Sequence, residues 1–319
     1  MSAESGIAKP RNSYPMTAVT ADFDLDGWPD IYVACDSTAS FLLRNNRDGT
    51  FTDIGLESGV ALNEDGMEQA GMGIAVGDYN LDGRLDIFKT HFSDDTNVLY
   101  RNRGNFDFQD VTAPAGLGVE TRFTCWGGAM VDLDNDGNPD LVFVTGSIYP
   151  ELEAKLPAYP FKTPRVIFRN LGGGKFEELI DQAGPGIAAP HSSRGCAFGD
   201  FDNDGDIDIV VINMNEPPSL LRNDVTGGGH WLKVKLTGNA IGATVIARYG
   251  AKTQAQPLLS QSSFFSVNDP RLHFGLGAEK SATLEIHWPS GTVERLPAVE
   301  SDRLVTIRES AGIVKTESF

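Results

Sequence analysis

Residues 22–30 read DFDLDGWPD, residues 78–86 DYNLDGRLD, residues 132–140 DLDNDGNPD and residues 200–208 DFDNDGDID. All four fit D-x-[DN]-x-D-G-x-x-D, and each runs straight into a short apolar segment: IYVA, IFKT, LVFV and IVVI. One such loop is an ordinary hairpin turn, because Asp-Gly is a favoured turn pair. A turn alone does not call for aspartate at positions 1, 5 and 9 together, four times over. The copies read as a repeat in which every unit holds a cation.

The loops start 56, 54 and 68 residues apart, a spacing within or just beyond that of propeller blades. A second landmark follows each: FLLRN ending at Asn45, VLYRN at Asn102, VIFRN at Asn170 and SLLRN at Asn223. It trails the loop's first aspartate by 23, 24, 38 and 23 residues, so the third unit carries an insertion, placed at 146–164 as a long surface loop. The segments before the loops (GMGIAVGD, WGGAMVD, RGCAFGD) are small and apolar, as crowded inner strands require. No segment shows a capped helical period. The fold class is all-β, with four visible propeller-type blades that form a partial or incomplete propeller, followed by a small β-sandwich-like domain. A boundary falls near Gly227, where the Arg-Asn landmark is no longer followed by Gly-x-Phe. Residues 1–226 are the repeats and 227–319 the second domain, in which Leu232, Val234 and Leu236 alternate with Lys233 and Lys235.

Hard cations take oxygen ligands, and a loop with carboxylates at positions 1, 3 and 5 wraps one ion. Glycine at position 6 permits the sharp turn that brings the position-7 carbonyl round, so the position-7 side chain varies. The expected ligands are Asp22, Asp24, Asp26, Trp28 and Asp30 in the first loop, and Asp78, Asn80, Asp82, Arg84 and Asp86 in the second. The third offers Asp132, Asp134, Asp136, Asn138 and Asp140, and the fourth Asp200, Asp202, Asp204, Asp206 and Asp208. No histidine or cysteine lies in the loops, which argues against zinc. The expected cofactor is Ca2+, about four ions at one per loop. An EF-hand is excluded, because position 12 is Val33, Lys89, Phe143 and Val211 where that motif needs glutamate.

The formal charge of the 319-residue chain is −18, and the loops hold 16 aspartates (four, three, four and five). Four divalent ions would bring −18 to −10, so much of the acidity belongs to the ion sites. The remainder argues against nucleic acid or an anionic membrane as partner. No apolar run is long enough to span a membrane, and residues 1–15 show no secretory leader. That stretch reads either as a cytoplasmic start or as the edge of a fragment whose leader lies upstream. Cys35, Cys125 and Cys196 form no CxxC motif and read as small buried residues of strands beside the loops.

These loops resemble the FG-GAP/VCBS repeat. The motifs HWLKVKLTG (230–238), IGATV (241–245), DPRLHFGLG (269–277) and IHWPSG (286–291) resemble the ASPIC/UnbV domain. The combination is similar to the cartilage acidic protein-like family and covers most of the chain. The resemblance implies a calcium-binding propeller, exported to an extracellular or periplasmic location, with more blades than four. Missing N-terminal blades or self-association would complete such a propeller.

Five histidines are candidates for catalysis. His230, His273 and His287 sit beside aromatic residues and read as packed, while His91 and His191 lie at strand ends or loops. His191-Ser192-Ser193 lacks a nucleophile elbow, and there is no phosphate-binding glycine motif. Arg44, Arg101, Arg169 and Arg222 of the Arg-Asn landmarks are expected to link neighbouring blades. The function read from these features is a calcium-stiffened scaffold for extracellular recognition or adhesion, with a protein or carbohydrate ligand. The alternative is an enzyme of cyclase or hydrolase type, related to natural products or glycans, that uses the propeller face.

Overall fold

Each acidic loop is the tight connection between the first two strands of an antiparallel blade. The computed structural model describes residues 4–8, 12–119 and 121–319. Residues 1–3 and 9–11 of the stretch inspected for a leader fall outside them. The first blade is β1 (Tyr14–Ala21), β2 (Asp30–Asp36), β3 (Phe41–Asn45) and β4 (Phe51–Asp53). The second is β5 (Gly71–Gly77), β6 (Asp86–His91), β7 (Val98–Asn102) and β8 (Phe108–Asp110). The third is β9 (Cys125–Val131), β10 (Asp140–Thr145), β11 (Val166–Asn170) and β12 (Phe176–Glu178). The fourth has three strands, β13 (Ser193–Gly199), β14 (Asp208–Asn213) and β15 (Ser219–Leu221).

The register is the same in all four blades. The residue before the loop pairs with the position-9 aspartate: Ala21 with Asp30, Gly77 with Asp86, Val131 with Asp140 and Gly199 with Asp208. Successive first strands pack side by side, β1 on β5, β5 on β9 and β9 on β13, so the blades follow one another around a common hub. Backbones come close there. A Cβ on Gly73 of β5 would lie 2.2 Å from the Trp126 carbonyl of β9, so that position admits only glycine. Single helical turns α1 (Gly55–Ser58), α2 (Thr112–Ala115) and α3 (Pro185–Ala188) follow the outer strands of the first three blades. Four residues are too few to print a 3.6-residue period, which is why the sequence shows no sign of them. Residues 146–164 run as surface turns, with Ile148, Tyr149 and Leu156 exposed.

Downstream, β16 (His230–Thr237), β17 (Thr244–Tyr249), β18 (Lys252–Pro257), β19 (Arg271–Gly277), β20 (Ser281–His287), β21 (Val293–Glu300), β22 (Arg303–Arg308) and β23 (Gly312–Glu317) make two four-stranded sheets. One is ordered β19-β16-β22-β23 and the other β18-β17-β20-β21. They share one apolar core that includes Val234, Phe274, Ile286, Trp288 and Ile307. Between β18 and β19 the chain crosses the inner strands of all four blades. Ser263 exchanges backbone hydrogen bonds with Ile74 at 2.9 and 3.1 Å, and the Phe264 ring meets Trp126 at 5.0 Å. Gln261 Nε2 donates to the Ala18 carbonyl at 2.7 Å, and Cys196 Sγ lies 3.4 Å from Ser263 Oγ.

The Arg-Asn landmark works differently from the expectation. The arginines are exposed and pair locally: Arg101 with Asp82, Arg169 with Glu177 and Arg222 with Asp224. The asparagines link the blades. Asn102 Nδ2 donates to the Phe23 carbonyl of the preceding loop at 2.9 Å, Asn170 Nδ2 to Tyr79 at 2.8 Å and Asn223 Nδ2 to Leu133 at 2.7 Å. A short amide reaches a buried carbonyl next to it, whereas a guanidinium on the same strand is carried out to solvent. Asn170→Ala, which orphans two buried carbonyls, is expected to cost about 2 kcal/mol of stability in denaturant titrations. Arg169→Ala should stay within about 0.5 kcal/mol of wild type.

Candidate metal centres

The four loops share one hydrogen-bond plan. Oδ2 of the first aspartate accepts the N–H of the position-6 glycine at 2.7–2.8 Å: Asp22 from Gly27, Asp78 from Gly83, Asp132 from Gly137 and Asp200 from Gly205. These glycines have φ between 83° and 106°, a left-handed turn that side chains resist. The position-5 aspartate accepts the position-7 amide at 2.7–3.1 Å in every copy. Position 4 is also left-handed, at Leu25, Leu81, Asn135 and Asn203.

Position 9 carries a structural duty that the spacing did not reveal. Both oxygens of Asp30 accept backbone amides, from Asn45 at 2.9 Å and Phe23 at 3.3 Å. Asp86 holds Asn102 and Tyr79 in the same way, Asp140 holds Asn170 and Leu133, and Asp208 holds Asn223 and Phe201. This carboxylate ties the acidic loop to the Arg-Asn strand. A carboxylate with about four lone-pair sites still has capacity for an ion.

Three of the loops gather carboxylates whose ligand atoms lie within 4.8 Å of one another: Asp22, Asp24 and Asp30; Asp132, Asp134 and Asp136; Asp200, Asp202 and Asp208. Asp24 Oδ1 and Asp200 Oδ1 are buried with no hydrogen-bond partner, the sign of oxygens arranged for a cation. The second loop differs. Asn80 replaces an aspartate, Arg84 Nη2 lies 2.5 Å from Asp82, and Arg101 lies 3.5 Å from it. That loop meets part of its charge with its own guanidinium groups. Asp26 of the first loop is likewise paired with Arg47. Asp204 and Asp206 of the fourth loop stand outside the three-carboxylate group, and Asn135 Nδ2 donates to Asp206 at 2.8 Å.

The C-terminal sheets grip the outer oxygen of the first aspartate in three loops. Ala255 N donates to Asp78 Oδ2 at 3.0 Å. Gly275 lies against Asp132 Oδ2, where a Cβ would be 1.9 Å away. Lys233 Nζ forms a buried ion pair with Asp200 Oδ2. The sequence placed Lys233 on the polar side of its strand. That side faces the fourth loop, so the amine is buried against Asp200, and burial lowers its pKa to about 7. In the third loop, Asn135 accepts from Gly277 N at 2.9 Å and lies 2.6 Å from His273 Nε2. Burial, with Lys233 and then Arg271 adding repulsion, pushes His273 down to about 3, so its ring is neutral. Asn135 Nδ2 is committed to Gly205 and Asp206, which leaves its Oδ1 to accept from His273 Nε2–H. His273 is a positioning group for the loop. His230 and His287 pair with Asp302 and Glu285, while His191 lies 3.1 Å from Glu216 and His91 is wholly buried.

Burial raises the loop carboxylates before any neighbour acts. Asp22 and Asp206 rise to about 6, and Asp30, Asp78 and Asp140 to about 7. Asp86 and Asp132 lie well above the carboxylate range. A raised folded value means that stability is fully present below the unfolded value of 3.8 and is lost as pH climbs through 6–7. In chelator, the melting temperature is therefore expected to fall between about pH 4 and pH 7. Saturating divalent ion, which binds the deprotonated groups, should reverse that slope. Thermal melts across pH in both conditions check this, and a flat chelated profile would contradict it. Lys233→Met should cost about 3 kcal/mol or more in chelator. The loss should be smaller with the ion present, because the ion then neutralises Asp200.

Residues 234–314 match the ASPIC and UnbV family, and residues 22–89, 90–143 and 163–211 match the FG-GAP-like repeat family. The chain is similar to cartilage acidic protein 1 of Homo sapiens, 28% identical over 278 residues, covering 82% of this chain and 39% of that protein. Cartilage acidic protein 1 of Xenopus tropicalis is 28% identical over 278 residues, covering 83% of this chain and 40% of the relative. The chain thus spans about two fifths of the length of these curated relatives. Among solved structures, an Agrocybe aegerita lectin described as recognising non-reducing terminal N-acetylglucosamine aligns over 91% of this chain and 80% of its own. Its TM-score is 0.36 and its identity 17%.

Proposed function

The chain belongs to the FG-GAP-like repeat family and ends in an ASPIC and UnbV domain, and on that premise we propose that it is a calcium-binding β-propeller scaffold for extracellular recognition. The observation that carries the reading is the convergence of three carboxylates in loops 1, 3 and 4, with unpartnered buried oxygens at Asp24 and Asp200. Oxygen donors at flexible distances suit Ca2+ better than the strict octahedron of Mg2+. Asp22, Asp24 and Asp30 would hold one ion, Asp132, Asp134 and Asp136 a second, and Asp200, Asp202 and Asp208 a third. The carbonyls of Trp28, Asn138 and Asp206 complete these sets. The second loop, with Asn80 and Arg84, would bind weakest. Loops of this charge suit the millimolar calcium outside cells. The three cysteines are buried, so the compartment rests on the loops and the family.

Recognition is supported by an open groove beside the third loop, about 680 Å³, lined by Asp134, Asp136, Thr226, Gly228, His230 and Ala278. A ligand seated there would meet the exposed carboxylates of a calcium loop. The hub cavity, lined in part by Asp78, Asp132, Arg271 and His273, is about 110 Å³. Small-molecule sites occupy roughly 300–1,000 Å³, so the groove beside the third loop suits a ligand better than the hub does. Among the described residues no helix is long and apolar enough to cross a membrane.

Calorimetric titration is expected to give strong calcium binding, weaker magnesium binding, and the loss of one calcium equivalent in Asp24→Ala with the other sites kept. Calcium binding that is unchanged in Asp24→Ala, or a melting temperature unmoved by chelator, would overturn the metal assignment. Glycan arrays and protein-partner screens run with and without calcium test recognition. Ligands captured equally well in chelator would count against a calcium-dependent site.

A further inference from the structure

The groove beside the third loop has walls of tightly packed backbone. Gly229 N donates to the Asp134 carbonyl at 3.2 Å, and Gly277 N to the Asn135 carbonyl at 2.9 Å. A Cβ on Gly229 would lie 2.2 Å from the Asn135 carbonyl oxygen and 2.5 Å from Gly277 Cα, so only glycine lets these segments close on the loop. His230 lines the groove, and its ring is fixed. Its Nδ1 lies 2.7 Å from Asp302 Oδ2. Asp302 is held in turn: Ser301 Oγ donates to Oδ2 at 2.9 Å, and the Asp302 amide donates to the Trp231 carbonyl at 2.6 Å. With Asp302 accepting from Nδ1–H, the neutral ring leaves Nε2 as an acceptor for whatever enters the groove.

The chemistry of the lining selects the ligand. Among the described residues only Val225 and Ala278 bring apolar side chains, so a hydrocarbon ligand gains little there. No lysine or arginine lines the groove, and the carboxylates of Asp134 and Asp136 repel an anion. A cation is drawn to those carboxylates only while the loop holds no divalent ion of its own. A neutral sugar suits what is left. Each of its hydroxyls can donate to a carboxylate or to His230 Nε2, and can accept from Thr226 Oγ1. A carboxylate that holds an ion through one lone pair still accepts from a hydroxyl through another.

We propose that this groove is a glycan site, in which His230 Nε2 and the Asp134 and Asp136 carboxylates accept hydrogen bonds from a neutral sugar. The assignment deepens the recognition reading and rests on it, because an ion in the third loop is what balances the two carboxylates. His230 is a ligand-contacting residue, and Asp302 is a positioning residue that acts through it. A site built to hydrogen-bond hydroxyls discriminates strongly against rings that lack them, since its own polar groups are then left unpaired.

The test titrates the full chain, in calcium, with methyl glycosides of glucose, galactose, mannose and N-acetylglucosamine, followed by saturation-transfer NMR and calorimetry. At least one neutral glycoside is expected to bind, and glucuronate and glucosamine, which put a charge on the same ring, more weakly. His230→Ala should weaken sugar binding about tenfold and keep every calcium equivalent. Ala278→Trp fills the groove from an exposed position without removing a polar group, so it should abolish sugar binding and also keep the calcium. His191→Ala, at the end of the fourth blade away from its loop, should bind sugar like wild type. Circular dichroism and the retained calcium equivalents show that the variants are folded. No calcium binding would overturn both readings. Calcium binding with no neutral sugar bound, a preference for a charged ring, or sugar binding unchanged in either groove variant would overturn the glycan assignment alone.

Discussion

Eight aspartates, the first and ninth of each acidic loop, are buried to within a few per cent of full enclosure. Burying a carboxylate without compensation is costly, and carboxylates about 4 Å apart near a surface repel by about 1–4 kcal/mol per pair. Most features of the molecule answer that one constraint. Backbone amides hold the ninth aspartate, the position-6 glycine amide holds the first, and converging oxygens leave a place for a divalent ion.

The answers differ between loops, and the differences place the C-terminal sheets. Where Asn80 removes one carboxylate, Arg84 supplies a cation from the loop itself. In the fourth loop the cation comes from Lys233, across the junction between the blades and the C-terminal sheets. In the third, a neutral His273 and the flat surface of Gly275 take its place. Docking of the C-terminal sheets and any ion binding would therefore act on the same aspartates. Linkage requires that whatever strengthens one alters the other.

Much of the blade was legible in advance. The acidic loop, the apolar strand after it and the Gly-rich strand before it lie within about twenty residues, so their periodicities are local. The Arg-Asn landmark was legible as a position and misread as a mechanism. Its linking atom is the asparagine amide, which reaches a carbonyl up to 91 residues away. Position 9 was expected as an ion ligand, and its grip on two backbone amides could be seen only once the Arg-Asn strand lay beside it. Lys233 was the largest surprise. An alternating pattern assigns a residue to one side of a strand and says nothing of what covers that side.

The sequence by itself determined the repeat, the turn chemistry, the oxygen-only donor set and the all-β class, because each depends on residues close together along the chain. The tertiary structure decided which carboxylates converge, which oxygens face the C-terminal sheets, and which segment crosses the hub. Several of those contacts join residues 68 to 243 positions apart. No local period encodes such pairings, and only folding of the whole chain brings the groups within bonding distance.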